Sequence, residues 1–196
     1  MITFLARLHG RPARGVPRWA LWTAYVTALT TLPSSVWRIV AFVFGGPLVE
    51  RYDAPPAGHG PIVFDGWWYV IVLSLASEVA AFATLGLVCE WGERWPRWIP
   101  GLGSRRVPVL AAVVPAGLGA TFLMIFPYAT VMMFSGRMVN GAPERALTQG
   151  WDTLIFWLCY GPLVLWGPLL GVLTVHYYRR RTRMITALEA PVALAR

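Results

Sequence analysis

The chain has 196 residues, room for one ordinary domain, of which 57% are hydrophobic and only 13% charged. A soluble domain carries about 25% charged residues because its surface faces water, so this composition excludes a water-facing globule. The net charge of +8 raises nucleic-acid binding, yet the arginines sit at the ends of long apolar blocks, which points to a membrane and against a nucleic-acid partner.

Residues 1–18 form a basic segment carrying Arg7, Arg11, Arg14 and Arg18. The apolar block that follows predicts a first span over residues 19–44. A cleaved signal peptide with residues 19–32 as its apolar core is the competing reading. Against it, apolar character resumes at Val36-Trp37 and no A-x-A site intervenes, so a retained helix is expected. Pro33 lies near its middle. Proline lacks an N–H and clashes with the carbonyl four residues back, that of Leu29, so a kink is expected, with Ser34 and Ser35 placed to satisfy freed backbone groups.

Residues 45–65 are Pro/Gly-rich and polar, and read as a loop. Residues 66–89 are the second predicted span, opened by Trp67-Trp68. Residues 90–107 form a basic, Trp-rich turn, and residues 108–134 the third span. A second polar loop leads to the fourth span, residues 152–178, closed by Tyr177-Tyr178. Each block can cross a hydrocarbon core about 30 Å thick, which needs about 20 residues. The surplus in the last two suggests tilt, or kinks at Pro115, Pro127, Pro162 and Pro168. Residues 179–196 read as a basic tail, disordered or lying on the membrane.

The fold class expected is therefore all-α, a membrane-embedded bundle of four transmembrane helices. All 17 basic residues are arginine, and their distribution sets the orientation. Arg7, Arg11, Arg14, Arg18, Arg94, Arg97, Arg105, Arg106, Arg179, Arg180, Arg181, Arg183 and Arg196 share one side, leaving Arg51, Arg137 and Arg145 on the other. The three basic stretches share a face only if an even number of spans separates them. Four spans, both termini cytoplasmic, in the cell inner (plasma) membrane, satisfy that condition.

Arg38 and Glu78 are the charges placed inside the spans. A charge at a helix centre costs about 2.5–3.5 kcal/mol on insertion scales, so each needs a partner, water or an interface. The first helix runs outward and the second inward, and side chains lean toward their helix N-termini, so the two lean toward each other. The expectation is either an Arg38–Glu78 pair, direct or through water, or Arg38 snorkelling outward with Glu78 protonated or bonded to a neighbour. Thr27, Thr31, Ser34, Ser35 and Arg38 define one polar face; Ser74, Ser77, Glu78 and Thr84 define another. These faces read either as interhelical packing or as a hydrated path. Ala112, Ala116 and Ala120 recur every fourth position and Gly167–Gly171 is a GxxxG, both permitting close helix approach. Cys89 and Cys159 are too far apart in this topology to pair, and free thiols are expected.

The turn Glu90-Trp91-Gly92-Glu93-Arg94-Trp95-Pro96-Arg97-Trp98-Ile99-Pro100-Gly101-Leu102-Gly103-Ser104-Arg105-Arg106-Val107-Pro108 is the most distinctive stretch. Trp91, Trp95 and Trp98 are candidate interfacial anchors, with Arg94 and Arg97 facing anionic lipid phosphates. The turn with its following Ala/Val/Pro-rich span resembles that of a group of uncharacterised polytopic membrane proteins of actinobacteria. The resemblance implies a four-helix topology and supplies no activity or binding residues.

His9, His59 and His176 fall in segments that cannot converge on one metal, and there is no phosphate-binding glycine loop followed by Lys, no GxSxG and no HExxH. No catalytic residue, metal or cofactor is predicted. The expected function is a non-catalytic structural or accessory component of a membrane assembly. The alternative is a small oligomeric transporter or channel using Arg38 and Glu78. The partners expected are the bilayer with its anionic lipids and a second copy or another membrane protein.

Overall fold

The computed structural model describes residues 11–45, 67–94, 105–137, 139–141 and 150–193. The fold is all-α, with four long apolar helices that could span a membrane: Arg18–Val43, Trp68–Leu87, Val109–Phe134 and Trp151–Thr186. The predicted loop over residues 45–65 lies almost wholly outside the described residues, as do most of residues 136–151 and the turn residues Trp95, Arg97 and Trp98.

Prolines start and break these helices where their missing N–H is tolerated. Pro17 caps α1 (Arg18–Leu29), and Pro33 stands in the first turn of α2 (Leu32–Arg38), so the interruption falls at Thr30–Thr31, just ahead of the proline. Ser34 donates its hydroxyl to Thr31 O at 2.8 Å, whereas Ser35 turns away to the second span. A π-helical turn, Ile39–Val43, completes the first span, closed by the Phe44 N–H on Ile39 O at 3.2 Å.

The second span is α3 (Trp67–Thr84) followed by a 3₁₀ turn, Leu85–Leu87. The third is α4 (Val109–Leu123) and α5 (Ile125–Phe134), interrupted at Met124. Pro115 lies inside α4 without ending it. Pro127 accounts for the interruption, because it cannot donate to the carbonyl of Leu123. The span ends in a Schellman motif: Gly136, at φ +68°, donates to Met133 O and Arg137 to Met132 O.

The fourth span is α6 (Trp151–Tyr160), a 3₁₀ segment with Pro162 in its first turn, Gly161–Leu165, and α7 (Trp166–Ala193). The helix does not close at Tyr178 but continues through the arginine cluster to Ala193, so most of the expected tail is helical. At about 1.5 Å rise per residue such a helix outruns a hydrocarbon core about 30 Å thick and projects beyond it.

The third span packs on the fourth, the first on both second and fourth. The third–fourth contact uses the predicted small residues. A methyl at Gly167 would meet the Leu123 carbonyl carbon at 3.0 Å, and one at Gly171 would meet the Ala120 methyl at 3.9 Å. The core gathers around Ala24, Leu85, Val88, Leu123, Leu173 and Tyr177, while Leu118, Phe122, Val131 and Val79 face outward. Large apolar side chains on the outside are the arrangement that lipid, not water, rewards. The third span is the least enclosed, only 11% buried against 33–39% for the others.

Candidate functional site

Three features carry polar chemistry or space, and each is built from more than one span.

The first lies within the membrane-spanning region. α2 and α3 meet where Ser35, buried, donates its hydroxyl to Glu78 Oε1 at 2.8 Å. Arg38, one turn further along α2, donates through Nε to Ser34 O at 3.2 Å and approaches the Ser34 and Ser35 hydroxyls through an Nη at 3.4 and 3.5 Å. Its guanidinium is therefore turned back along its own helix, as side-chain tilt favours. It does not reach for the nearer end of the span. Ser35 stands between the two charges, and the close ion pairs among the described residues lie elsewhere. Of the two expected arrangements, neither a direct pair nor outward snorkelling is seen; Glu78 is bonded to a neighbour.

The surrounding hydroxyls are mostly spent within their own helices. Thr27 bonds Thr23 O at 2.7 Å, Thr31 bonds Ala28 O, Ser77 bonds Leu73 O and Thr84 bonds Ala80 O. Ser77 thus takes no part in the Arg38–Ser35–Glu78 chain. Ser74, buried on the same helix, has no hydrogen-bond partner for its hydroxyl among the described residues.

The second feature is a groove of about 740 Å³ between the second and third spans. Ala76, Ala80 and Ala83 line one wall and Ala112, Ala116 and Gly119 the other; Leu123, Leu163 and Leu170 lie deeper. Two stripes of small residues leave room that larger side chains would fill. Among the described residues Arg38 is the one charged residue lining it, and Trp91 and Gly92 lie at its other end. Of the predicted alanine stripe, Ala120 is buried against the fourth span, while Ala112 and Ala116 are partly buried against the core and also line this groove.

The third feature is a clasp at the arginine-rich end. Arg180, 7% exposed, places Nη on Glu93 Oε1 at 2.6 Å, on Arg14 O at 3.1 Å and on Leu87 O at 3.5 Å. Arg181 reaches Glu93 Oε2 at 3.5 Å and Val107 O at 2.9 Å. Both guanidinium groups lie within 6 Å of the Tyr177 ring. The backbone is stitched as well: Ala13 N–H donates to Val88 O, Glu90 N–H to Arg11 O and Val107 N–H to Glu93 O. Arg94, exposed, pairs its backbone with Arg106 in an isolated bridge. Three stretches, at Arg14, from Leu87 to Glu93 and at Val107, are thereby fixed to the last helix.

Trp91, a predicted anchor, stacks on Phe82 with ring centroids 5.5 Å apart and covers Gly86. Gly92 crosses the Gly86 backbone so closely that a side-chain carbon would collide with it. Cys89 and Cys159 are both free thiols, Cys89 buried beneath the clasp, where burial raises its pKa. Among the described residues no three His, Cys, Asp or Glu side chains gather as a metal site would require.

Glu93, Arg180, Arg181 and Tyr177 were not singled out as partners from the sequence. A signal was present: two acidic residues, Glu90 and Glu93, in a basic turn, with a run of arginines elsewhere to pair with. Compared with family models, curated proteins and solved structures, the chain matches none of them.

Proposed function

We propose that this chain is a non-catalytic, multi-pass component of the plasma membrane, with both termini cytoplasmic, that serves a larger membrane assembly. The observation that carries the reading is the clasp. The tightest network of charge among the described residues pairs Glu93 with two arginines and places further Nη donors on backbone carbonyls, an arrangement suited to holding segments together. It also gathers the arginine-rich segments at one end of the bundle, and arginine-rich ends are retained on the cytoplasmic side.

The orientation is tested by single cysteines at positions 5 and 190 in a Cys89→Ser, Cys159→Ser background. Both should stay unreactive to an impermeant maleimide until the cytoplasmic face is opened. Labelling of one and not the other from outside sinks it. The functional reading is tested by reconstituting the full chain in vesicles and measuring ion flux, which should not exceed that of empty vesicles.

A specific observation favours a second reading, a small transporter: Arg38, Ser35 and Glu78 form a continuous polar chain beside the groove. Flux by the wild type that Glu78→Gln abolishes overturns the accessory reading in its favour.

A further inference from the structure

We propose that the groove between the second and third spans holds one acyl chain of an anionic membrane lipid, with the headgroup drawn to Arg38. The inference goes beyond the accessory reading and does not depend on it.

The shape of the groove comes first. The second and third spans lie apart, and their facing stripes, Ala76, Ala80, Ala83 and Ala112, Ala116, Gly119, form walls with little relief. From Leu73 to Leu87 the lining covers roughly 20 Å of helix at about 1.5 Å per residue. About 740 Å³ falls within the roughly 300–1,000 Å³ of ordinary ligand sites. An interior is close-packed, and a void of this size among apolar side chains forfeits dispersion contacts unless something apolar fills it. The third span is only 11% buried, so the groove lies along the face where lipid has access.

The charge comes second, and it selects the occupant. Arg38 lines the groove with its guanidinium turned back along α2 and held by Ser34 and Ser35, which are neutral. The nearest carboxylate in this chain of contacts, Glu78, is engaged by Ser35 in between. Of the five N–H donors a guanidinium carries, the bonds to Ser34 and Ser35 leave capacity for an anion. A cation at this depth is costly without one. An apolar slot with a single cation at one end fits an amphiphile whose head is anionic; a zwitterionic lipid gains less from Arg38, because its own ammonium competes. A second copy of this chain packing its apolar third span into the groove would bring Arg38 no acidic residue from that span, so the lipid is the occupant favoured.

The test uses the full chain reconstituted in phosphatidylcholine vesicles containing a trace of either phosphatidylglycerol or phosphatidylcholine, each with a photoactivatable diazirine on one acyl chain. Adducts are mapped by peptide. Phosphatidylglycerol should label residues 76–83 and 112–122 about fivefold more than the matched phosphatidylcholine, the weight of roughly 1 kcal/mol for one arginine meeting an anionic lipid. Arg38→Gln should erase that preference and Arg38→Lys should keep most of it. Ala80→Trp, which fills the slot from an exposed wall, should lower adducts of both probes. Equal labelling of the wild type by the two probes overturns the proposal, as does a preference that survives Arg38→Gln. Walls that take up neither probe but crosslink to a second copy overturn it in favour of self-association. Should Ala80→Trp fail to fold, the Arg38 pair still decides.

Discussion

Two charged regions of this molecule use arginine in opposite ways. At the arginine-rich end, Arg180 and Arg181 grip both oxygens of Glu93, and further Nη donors reach the carbonyls of Arg14, Leu87 and Val107, while the Nε of each is buried without a partner among the described residues. Within the spans, Arg38 and Glu78 share only the Ser35 hydroxyl, and Arg38 lines open space. The first arrangement meets most of the cost of a buried charge with a countercharge and several Nη hydrogen bonds. The second leaves part of that cost unanswered. A charge whose cost is met by the fold holds structure together; one whose cost is not met marks where a ligand, water or partner enters.

The largest effect should come from breaking the clasp. Arg180→Gln leaves Glu93 with Arg181 alone and deprives two carbonyls of a donor. The loss expected is about 3 kcal/mol, the lower end for breaking one side of a buried pair, read as a lower unfolding midpoint in detergent. The same variant should expose Cys89, which is 1% exposed and lies between Val88, bonded to Ala13, and Glu90, bonded to Arg11. In a Cys159→Ser background its maleimide labelling should accelerate. Unchanged labelling together with an unchanged midpoint removes the structural role assigned to the clasp. Next in size is Gly92→Ala. The added methyl collides with the Gly86 backbone, and overpacking of this kind costs about 1–3 kcal/mol. Gly136→Ala, at a helix end with open space around it, is the contrasting substitution: only backbone strain at φ +68° is at stake, of order 1 kcal/mol.

The spans were legible in the sequence because lipid imposes a length and a composition that few other environments share. Residues 19–44, 66–89 and 108–134 each correspond closely to a helix the structure contains. The helix of the fourth runs on past the expected span. Hydropathy falls at Arg179, but backbone hydrogen bonding does not depend on hydropathy, and a helix continues into the polar region when nothing stops it. Between Tyr178 and Ala190 the sequence has neither Gly nor Pro. Kinks were harder. Pro127 coincides with an interruption and Pro115 does not, because whether a proline ends a helix depends on how its neighbours settle the freed carbonyl. Arg38, Ser35 and Glu78 were found by their polarity in apolar surroundings, whereas Ser77, one residue from Glu78, bonds within its own helix. The clasp escaped because its members lie far apart in sequence; Glu93 and Arg180 meet only once the helices are packed. The groove escaped for the same reason, since a small-residue stripe reads alike whether it packs on a helix or leaves a space beside one.

The comparison sharpens most when an intramembrane charge is removed. Arg38→Gln should leave the unfolding midpoint within about 1 kcal/mol of wild type, or raise it, because deleting an incompletely paired charge also deletes its insertion cost of about 2.5–3.5 kcal/mol. The same substitution at position 180 is strongly destabilising, so one chemical change carries two outcomes according to whether the fold had answered the charge. A large loss of stability from Arg38→Gln erases the distinction between the two regions.

The smallest effect belongs to Ser35→Ala. Its hydroxyl makes a hydrogen bond between the first and second spans, yet interhelical bonds in membranes are worth only about 0.6 kcal/mol on average, since the separated helices also find partners. The stability change should therefore be near the limit of a thermal measurement. Chemically the substitution is not small. Without the hydroxyl nothing neutral remains between Arg38 and Glu78, and the two are free to approach as a direct pair. If Ser35 holds them apart so that Arg38 can serve the groove, Ser35→Ala should weaken the phosphatidylglycerol preference of the groove walls while hardly moving the unfolding midpoint. Adding Glu78→Gln to Ser35→Ala should restore that preference, because the competing carboxylate is gone. A double variant that labels like Ser35→Ala alone would mean that Glu78 never competed for Arg38, and that the separation of the two charges has no bearing on what the groove binds.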